Sequence, residues 1–435
     1  MSADRLETST HQANYQEGSL QTDVAIVGGG MVGLSLALLV AHKIPDARIS
    51  IIEHYPLDTS QSHTKKMYQP SFDERSTAIS SNSATIFKQL GLWCDIQQHI
   101  TPISRVHVTD RGHFGATSYA EQDNNNQSLG FVVDNRWLGY CLAQKTAQLP
   151  NIEIFAPANA KNISFHSGGA TIELDGSNVS RGASHFPREL NCDLLVVADG
   201  AESELRQKMG IATEEDDYHQ VAVIANVEFE HAHHGVAYER FTESGPLALL
   251  PLGARNSASK SALVWTTPKS KVDEVMGWDD HTFLTNLQSA FGYRLGHFTK
   301  VGERHHYSLK CVIAKEQVRS SMVLMGNAAH YLHPVAGQGF NLALRDCLHL
   351  SNQLAKQQQR GEPLGQLQGL QEYVANQQSD QWLTVNMSHN FNRLFTNENK
   401  AAQALRNVGL LGLGLFQPAK DTFFNRMMGK GARIF

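Results

Sequence analysis

Four short runs of aliphatic and β-branched residues stand out from a mixed background: Asp23 to Val27, Arg48 to Ile52, Cys192 to Val197 and Met322 to Met325. They lack the polar alternation of a half-exposed strand, which predicts strands covered on both faces, as in a parallel sheet. Leu34 to Ala41 is built from good helix formers with no breaker before Pro45, so a helix is expected directly after the first strand. Further along the pattern changes. Val221, Val223, Ala225 and Val227 alternate with their neighbours, which predicts an antiparallel sheet with one face toward a cavity. Phe241, Leu247, Leu249 and Pro251 sit on similar strands; core packing is their default role and lining an apolar site the alternative. Beyond about 346 the chain reads as helical, its first helix ending at Gln357 to Gly361.

The turn after the first run carries chemistry. Gly28-Gly29-Gly30-Met31-Val32-Gly33 is a GxGxxG between a strand and a helix, and the next strand ends in Glu53, 20 residues past Gly33. Gly28 permits a tight turn, Gly30 lets backbone amides approach a pyrophosphate, and Gly33 lets the helix pack close on the strand. The helix N-terminus adds partial positive charge. A carboxylate at Glu53 accepts hydrogen bonds from both ribose hydroxyls and disfavours a 2′-phosphate. The segment therefore predicts a tightly bound FAD or NAD.

Composition narrows the classes. With 41% hydrophobic and 18% charged residues the 435-residue chain is an ordinary globular one. A net charge of −5 gives no reason to expect nucleic acid, which requires a dense basic face. Cys94, Cys141, Cys192, Cys311 and Cys347 form no CxxC pair, as suits a reducing cytosol. Histidines cluster at His231, His233, His234 and at His305-His306, but no HExxH or Cys/His ligand set accompanies them, so no metal is expected. Met1 to Gln21 lacks the apolar core of a secretory signal, and no apolar run reaches the roughly 18 residues of a membrane span. A cytoplasmic chain is expected, with peripheral contact at the inner face of a membrane left open.

Two later segments select between the nucleotides. Asp199-Gly200-Ala201-Glu202-Ser203-Glu204-Leu205-Arg206 follows the third apolar run, and Gly326-Asn327-Ala328-Ala329-His330 follows the fourth. His333-Pro334-Val335-Ala336-Gly337-Gln338-Gly339-Phe340-Asn341 then leads into a helix. With the GxGxxG, these match the DGxxSxxR and GD-type motifs, and the chain from Asp23 to Arg345 resembles the flavin-dependent aromatic hydroxylases of the p-hydroxybenzoate hydroxylase type. Asn327 stands where most of that family carries aspartate. Segments Gln220 to Val227 and Ala237 to Pro251 are similar to the substrate-domain strands of the hydroxylases of ubiquinone biosynthesis, and Val108 to His113 with the Gly326-Asn327-Ala328-Ala329 variant most resemble those acting on 2-octaprenyl-6-methoxyphenol.

The resemblance implies FAD held by Gly28, Gly30, Gly33, Glu53, Arg75, Asp199, Gly200, Gly326, Asn327, Gly337, Gln338, Gly339 and Asn341. Without it Arg75 would read as a surface ion pair. Two glycines before a helix, Gly337 and Gly339, place backbone N–H groups where reduced flavin carries negative charge. NAD(P)H would dock transiently, since the chain has a single dinucleotide motif, and O2 would give a C4a-hydroperoxyflavin that a polyprenylated phenol attacks. No residue identifies itself as the base for the phenol; His333, Pro334 and Arg75 are the flavin-proximal candidates by family analogy. A sister enzyme acting at another ring position, and a non-catalytic FAD-binding scaffold of a biosynthetic complex, remain alternatives.

The expected fold class is α/β: a doubly wound Rossmann-like FAD-binding domain (20–105, 135–205 and 305–345), an inserted mostly-β substrate domain (106–134 and 206–304) and C-terminal helices (346–435), after a flexible lead over 1–19. Near the end, Val408 to Phe416 is apolar and glycine-rich and is followed by Lys420, Arg426, Lys430 and Arg433. A packed terminal helix is the default for it; an interfacial element meeting a lipid-tailed substrate is the sharper alternative.

Overall fold

The computed structural model describes residues 19–57, 75–110, 116–176, 186–332, 337–396 and 417–427. All four apolar runs become neighbouring strands of one sheet. Its parallel core runs Met322–Leu324, Glu189–Val197, Ser19–Val27, Ile49–Ile52 and Ile152–Phe155. In chain order that is 5-4-1-2-3, the doubly wound arrangement in which strand order reverses beside the first strand. Antiparallel strands Ala158–His166 and Gly169–Gly176 extend the sheet from Glu189–Val197.

Two helices cover the face that carries Val24, Ile26 and Val196. The helix Met31–Lys43 is buried over nine consecutive residues from Gly33 to Ala41, as a helix apolar all round must be. Gln338–Arg360 packs beside it with a one-sided apolar stripe through Leu344, Cys347, Leu348 and Leu354. The helix Leu367–Thr396 packs in turn on Gln338–Arg360.

The second sheet has nine strands, in the order His330–Tyr331, His305–Ala314, Thr213–Phe229, Lys260–Pro268, Gly245–Leu252, Val236–Thr242, Arg105–Asp110 and Ala116–Ala120, with Phe298–Val301 paired to Thr213–Phe229. The stretch from 305 to 314, grouped by the sequence with the FAD-binding segments, runs antiparallel to Thr213–Phe229 in this sheet. Likewise Gly130–Asp134 belongs with Ser76–Ser80 and Ile100–Ile103 in a three-stranded sheet. Both segments are strands that join the two halves, and strand partners far along the chain leave no local mark on the sequence.

One face of the nine-stranded sheet is a dry core. Val223, Ala225, Val227, Leu247, Leu249, Leu263 and Trp265 pack there against Phe283, Leu287 and Phe291 of the helix Asp280–Phe291. The alternation of Val221 to Val227 thus marks the helix-covered face, and it is the opposite parity that looks into a cavity. Leu249 is fully buried in this layer, so Leu249→Ala is expected to cost about 2–5 kcal/mol of unfolding free energy. Urea denaturation of the two proteins measures it.

Candidate active site

Between the sheets lies a cavity of about 1150 Å³. One side is formed by turns at the carboxyl ends of the parallel strands, where open α/β sheets bind ligands. Here Gly28 adopts φ 110°, and a Cβ on it would fall 2.3 Å from the Ala198 carbonyl oxygen. A Cβ on Gly33 would sit 1.9 Å from the Gly28 carbonyl oxygen. No other residue fits either position. The Ala198 N–H donates to the Val27 carbonyl at 2.7 Å and the Gly28 N–H to Ile52 at 2.8 Å, pinning the turn between both neighbouring strands.

The Glu53 carboxylate is fixed by two backbone amides, Gly29 to Oε2 at 2.5 Å and Tyr55 to Oε1 at 2.9 Å. Burial raises its pKa, and these amides oppose the shift. Asp199 is also raised by burial, opposed first by the Ser203 hydroxyl. Its Oδ1 is buried and has no hydrogen-bond partner among the described residues. Arg206 is buried and donates to Ala328 O at 2.9 Å and Ala201 O at 3.0 Å, tying the second motif to the third.

Two helix N-termini open onto the same cavity. Neither Met31–Lys43 nor Gln338–Arg360 has a side-chain cap or an acid in its first turn. The first N–H groups of a helix have no intrahelical partner, and the helix dipoles favour an anionic ligand at these ends. The uncapped termini, the glycine cradle and the orphaned Asp199 oxygen fit a dinucleotide lying extended along this wall.

Gly28, Gly30, Glu53, Arg75, Asp199, Gly200, Asn327, Gly337, Gln338, Gly339 and Asn341 all line this one cavity. Gly33 and Gly326 stand behind it, Gly326 abutting Val32 of the first helix. Arg75 lies over the Tyr307 ring, 4.6 Å from its centroid. Asn341 is a clamp: its Nδ2 donates to Ala78 O and Gly337 O, each at 2.8 Å, and its Oδ1 accepts from Ser80 N at 2.8 Å and Ser83 Oγ at 2.6 Å. That amide holds the strand Ser76–Ser80 against the start of Gln338–Arg360. His333 and Pro334 lie outside the described residues. Behind the third motif, His330 Nε2 meets Asp346 Oδ2 at 2.6 Å in the interior.

The other side is the second face of the nine-stranded sheet. Ala222, Ile224, Ala248, Leu250, Ala262 and Val264 line it, with Pro246 nearby. The recurrent alanines leave room for an elongated apolar ligand. Leu247 and Leu249, singled out by their hydrophobicity, point away from it into the core. Tyr119 and Phe424 stack at 4.6 Å and both reach the cavity. Phe424 belongs to the helix Gln417–Met427, where Lys420 pairs with Asp123 at 3.2 Å. This part of the C-terminal region is thus docked, whereas 408–416 lie outside the described residues.

One acid interrupts the apolar face. Glu239, on Val236–Thr242, projects into the cavity, and burial alone raises its pKa to about 7. Sequence reading passed over it because an acid amid Tyr238 and Arg240 resembles a solvated edge; only the sheet's parity reveals which way it points. Among the described residues no group of three His, Cys, Asp or Glu side chains gathers as a metal site, and His233 is bound to Leu252 O and Gly235 N.

A doubly wound dinucleotide sheet, joined through one cavity to an apolar β-sheet wall, defines a flavoprotein of the FAD-dependent monooxygenase class. The family model described as FAD binding domain matches residues 21–386, and the chain belongs to that family. It is 31% identical over 408 residues to ubiquinone hydroxylase UbiL of Rhodospirillum rubrum, covering 94% of this chain and 89% of the relative. The 3-demethoxyubiquinol 3-hydroxylase of Escherichia coli is 29% identical over 391 residues, 90% of this chain and 94% of the relative. Among solved structures, p-nitrophenol 4-monooxygenase PnpA from Pseudomonas putida shares the fold with a TM-score of 0.73 at 18% identity, covering 94% of this chain and 98% of that one.

A raised carboxyl pKa has a stability consequence. The folded protein retains the Glu239 proton up to about pH 7, whereas the unfolded chain releases it near the ordinary carboxyl value of 4.5. Folding is therefore penalised increasingly as pH rises through that window, and fully above it. Glu239→Gln removes the penalty. Its melting temperature is expected to exceed that of the wild type at pH 8, with the gap shrinking as pH falls to 5, in a pH series of thermal melts.

Proposed function

We propose that this enzyme hydroxylates the aromatic ring of a polyprenylated phenol in ubiquinone biosynthesis, with 2-octaprenyl-6-methoxyphenol as substrate and NAD(P)H and O2 as co-substrates. The observation that carries the reading is the continuity of the cavity: a dinucleotide wall and an alanine-rich apolar wall share one volume. A polar nucleotide and a long hydrocarbon need such opposite linings. The names of the Rhodospirillum and Escherichia relatives support the pathway. A sister ring position is the second reading, favoured by the Escherichia relative's name.

When bound, FAD supplies hydride acceptance from NAD(P)H and activation of O2 for transfer of one oxygen atom. The chain does the rest. In this reading Glu53 holds the ribose, the N-terminus of Met31–Lys43 the pyrophosphate, and Asp199 and Asn327 the sugar chain. Gly337 to Gly339 present N–H groups to the ring system at the second helix N-terminus. Arg75, stacked on Tyr307, adds positive charge at the junction of the two walls. The apolar sheet face excludes water and aligns the phenol against the ring. A tail of many isoprene units extends past the cavity, so in this reading the working enzyme meets a membrane surface.

The test is flavin absorbance of the purified protein combined with NAD(P)H oxidation, with and without a prenylated methoxyphenol. Flavin bands and phenol-stimulated oxidation that yields a hydroxylated ring are expected. Flavin bands with oxidation indifferent to every phenol offered would remove the proposed substrate class. The wall can be probed separately. Ala248→Leu narrows the apolar side and is expected to raise KM for long-tailed phenols by about tenfold or more, on the order of 1–3 kcal/mol for a pocket contact. Short-chain analogues should change little, as steady-state kinetics on a chain-length series would show.

A further inference from the structure

The strand Val236–Thr242 places a single ionisable acid on an otherwise apolar wall, and its surroundings are informative. Its register neighbours are Ala248 on one side and Val108 on the other, so no charged group flanks it across the sheet. The charges nearby are on the reverse face. There Tyr238 packs on Phe291, and burial first, then Arg294, Arg105 and Arg240, lowers the His107 pKa to about 4. On the cavity side Tyr119, Tyr307 and Tyr331 come from other strands, Arg75 lies on Tyr307, Tyr238 also reaches the lining, and the other ionisable groups, Glu53 and Asp199 among them, stand on the dinucleotide wall. Among the described residues Glu239 is the one carboxylate that the nine-stranded sheet turns into the cavity.

An acid in such a place destabilises the empty site. The ring of a phenol has one group that needs a partner there, its hydroxyl. We infer that Glu239 is the proton acceptor for the substrate phenol: its carboxylate takes the hydroxyl proton as the ring is attacked by oxygen. The O–H bond of the phenol breaks, an O–H bond forms on the carboxyl, and the electron pair left on the phenol oxygen enriches the ring carbon that is hydroxylated. No oxidant beyond the O2 of the reaction is needed. On rearomatisation the hydroxylated carbon gives up its own proton to water and the proton held by Glu239 returns to the ring oxygen, so Glu239 is unchanged over a turnover. Its affinity for protons near neutral pH suits the task, because a base tuned to the working pH combines ionisation with driving force.

The inference rests on the phenol-hydroxylase reading and can fail separately from it. Glu239→Gln is the same size and keeps the fold, which flavin absorbance and thermal melts verify. For a methoxyphenol of ordinary acidity, kcat/KM is expected to fall about 10²-fold or more, within the range of general base catalysis. The wild-type rise of kcat/KM through about pH 7 should vanish in the variant. Fluorinated phenols, which ionise without help, should recover most of the loss.

A binding measurement gives a readout without turnover. An alkyl-nitrophenol, whose phenolate absorbs apart from its phenol, is titrated into both proteins across pH. Ionised Glu239 repels the phenolate, so wild-type affinity should weaken above about pH 7, while the variant's should not. Wild-type rates, an unchanged pH profile and the same probe titration in Glu239→Gln would overturn the role and leave the hydroxylase reading intact. A wild type that hydroxylates no phenol would overturn both. Should the variant lose its flavin, the wild-type probe titration decides alone: affinity that does not fall as pH rises ends the proposal.

Discussion

The tightest physical constraint in the molecule is the approach of the Gly28 to Gly33 turn to its surroundings. The first helix starts so close to the first strand that the Gly28 carbonyl oxygen occupies the space of any side chain at 33. The turn in turn lies against Ala198, at the end of the neighbouring strand. Because the strands on both sides of the first hydrogen-bond into it, the order of the parallel sheet follows. So does the direction in which the N-terminus of Met31–Lys43 points. Close approach at this one place aims an uncapped helix into the cavity, and the Gln338–Arg360 helix, packed alongside, brings a second one. Asn341 and Arg206 then fasten the strand Ser76–Ser80 and the second motif to the same frame.

The nine-stranded sheet supplies the complementary constraint. A strand has two faces, and here each has a different duty. One parity of Thr213–Phe229, Gly245–Leu252 and Lys260–Pro268 carries valines, leucines and a tryptophan into a helix-covered core. The other carries alanines and a few branched residues to the cavity. Large residues fill the side that must be dry and dense; small ones leave a volume where a ligand goes. The size difference between parities is thus a functional record, written in the same strands that hold the fold together.

This explains what could and could not be read from the chain. The dinucleotide half was legible because its requirements are local: a strand, a glycine turn, a helix and an acid fall within about 30 residues. The later motifs each join a strand to a turn, so their residues meet wherever the strands meet. Gly28, Glu53, Asp199 and Asn327 accordingly line one cavity. The substrate half was legible only as β-sheet. Leu247 and Leu249 are core, their default reading, while the wall residue Ala248 between them carries no hydrophobic signal that marks it. Strand His305–Ala314 was grouped with the wrong sheet because its partner lies some 90 residues earlier, in Thr213–Phe229. Pairing at that range is a property of the assembled sheet and leaves no periodicity in the segment itself.

At Glu239 the demands of folding and of ligand binding meet. An acid on a buried strand face opposes folding, and nothing in the sheet relieves it: its cross-strand neighbours are alanine and valine. Residues that weaken the structure without a structural partner concentrate where ligands bind. The cavity walls offer a phenol flat apolar contact almost everywhere, but contact of that kind is indifferent to how the ring is turned. A carboxylate at one point of such a wall breaks the indifference, because only the orientation that brings the hydroxyl to it satisfies the buried charge. The same group can therefore fix the ring's orientation and accept its proton, which couples the choice of the carbon to be hydroxylated to the step that makes it reactive.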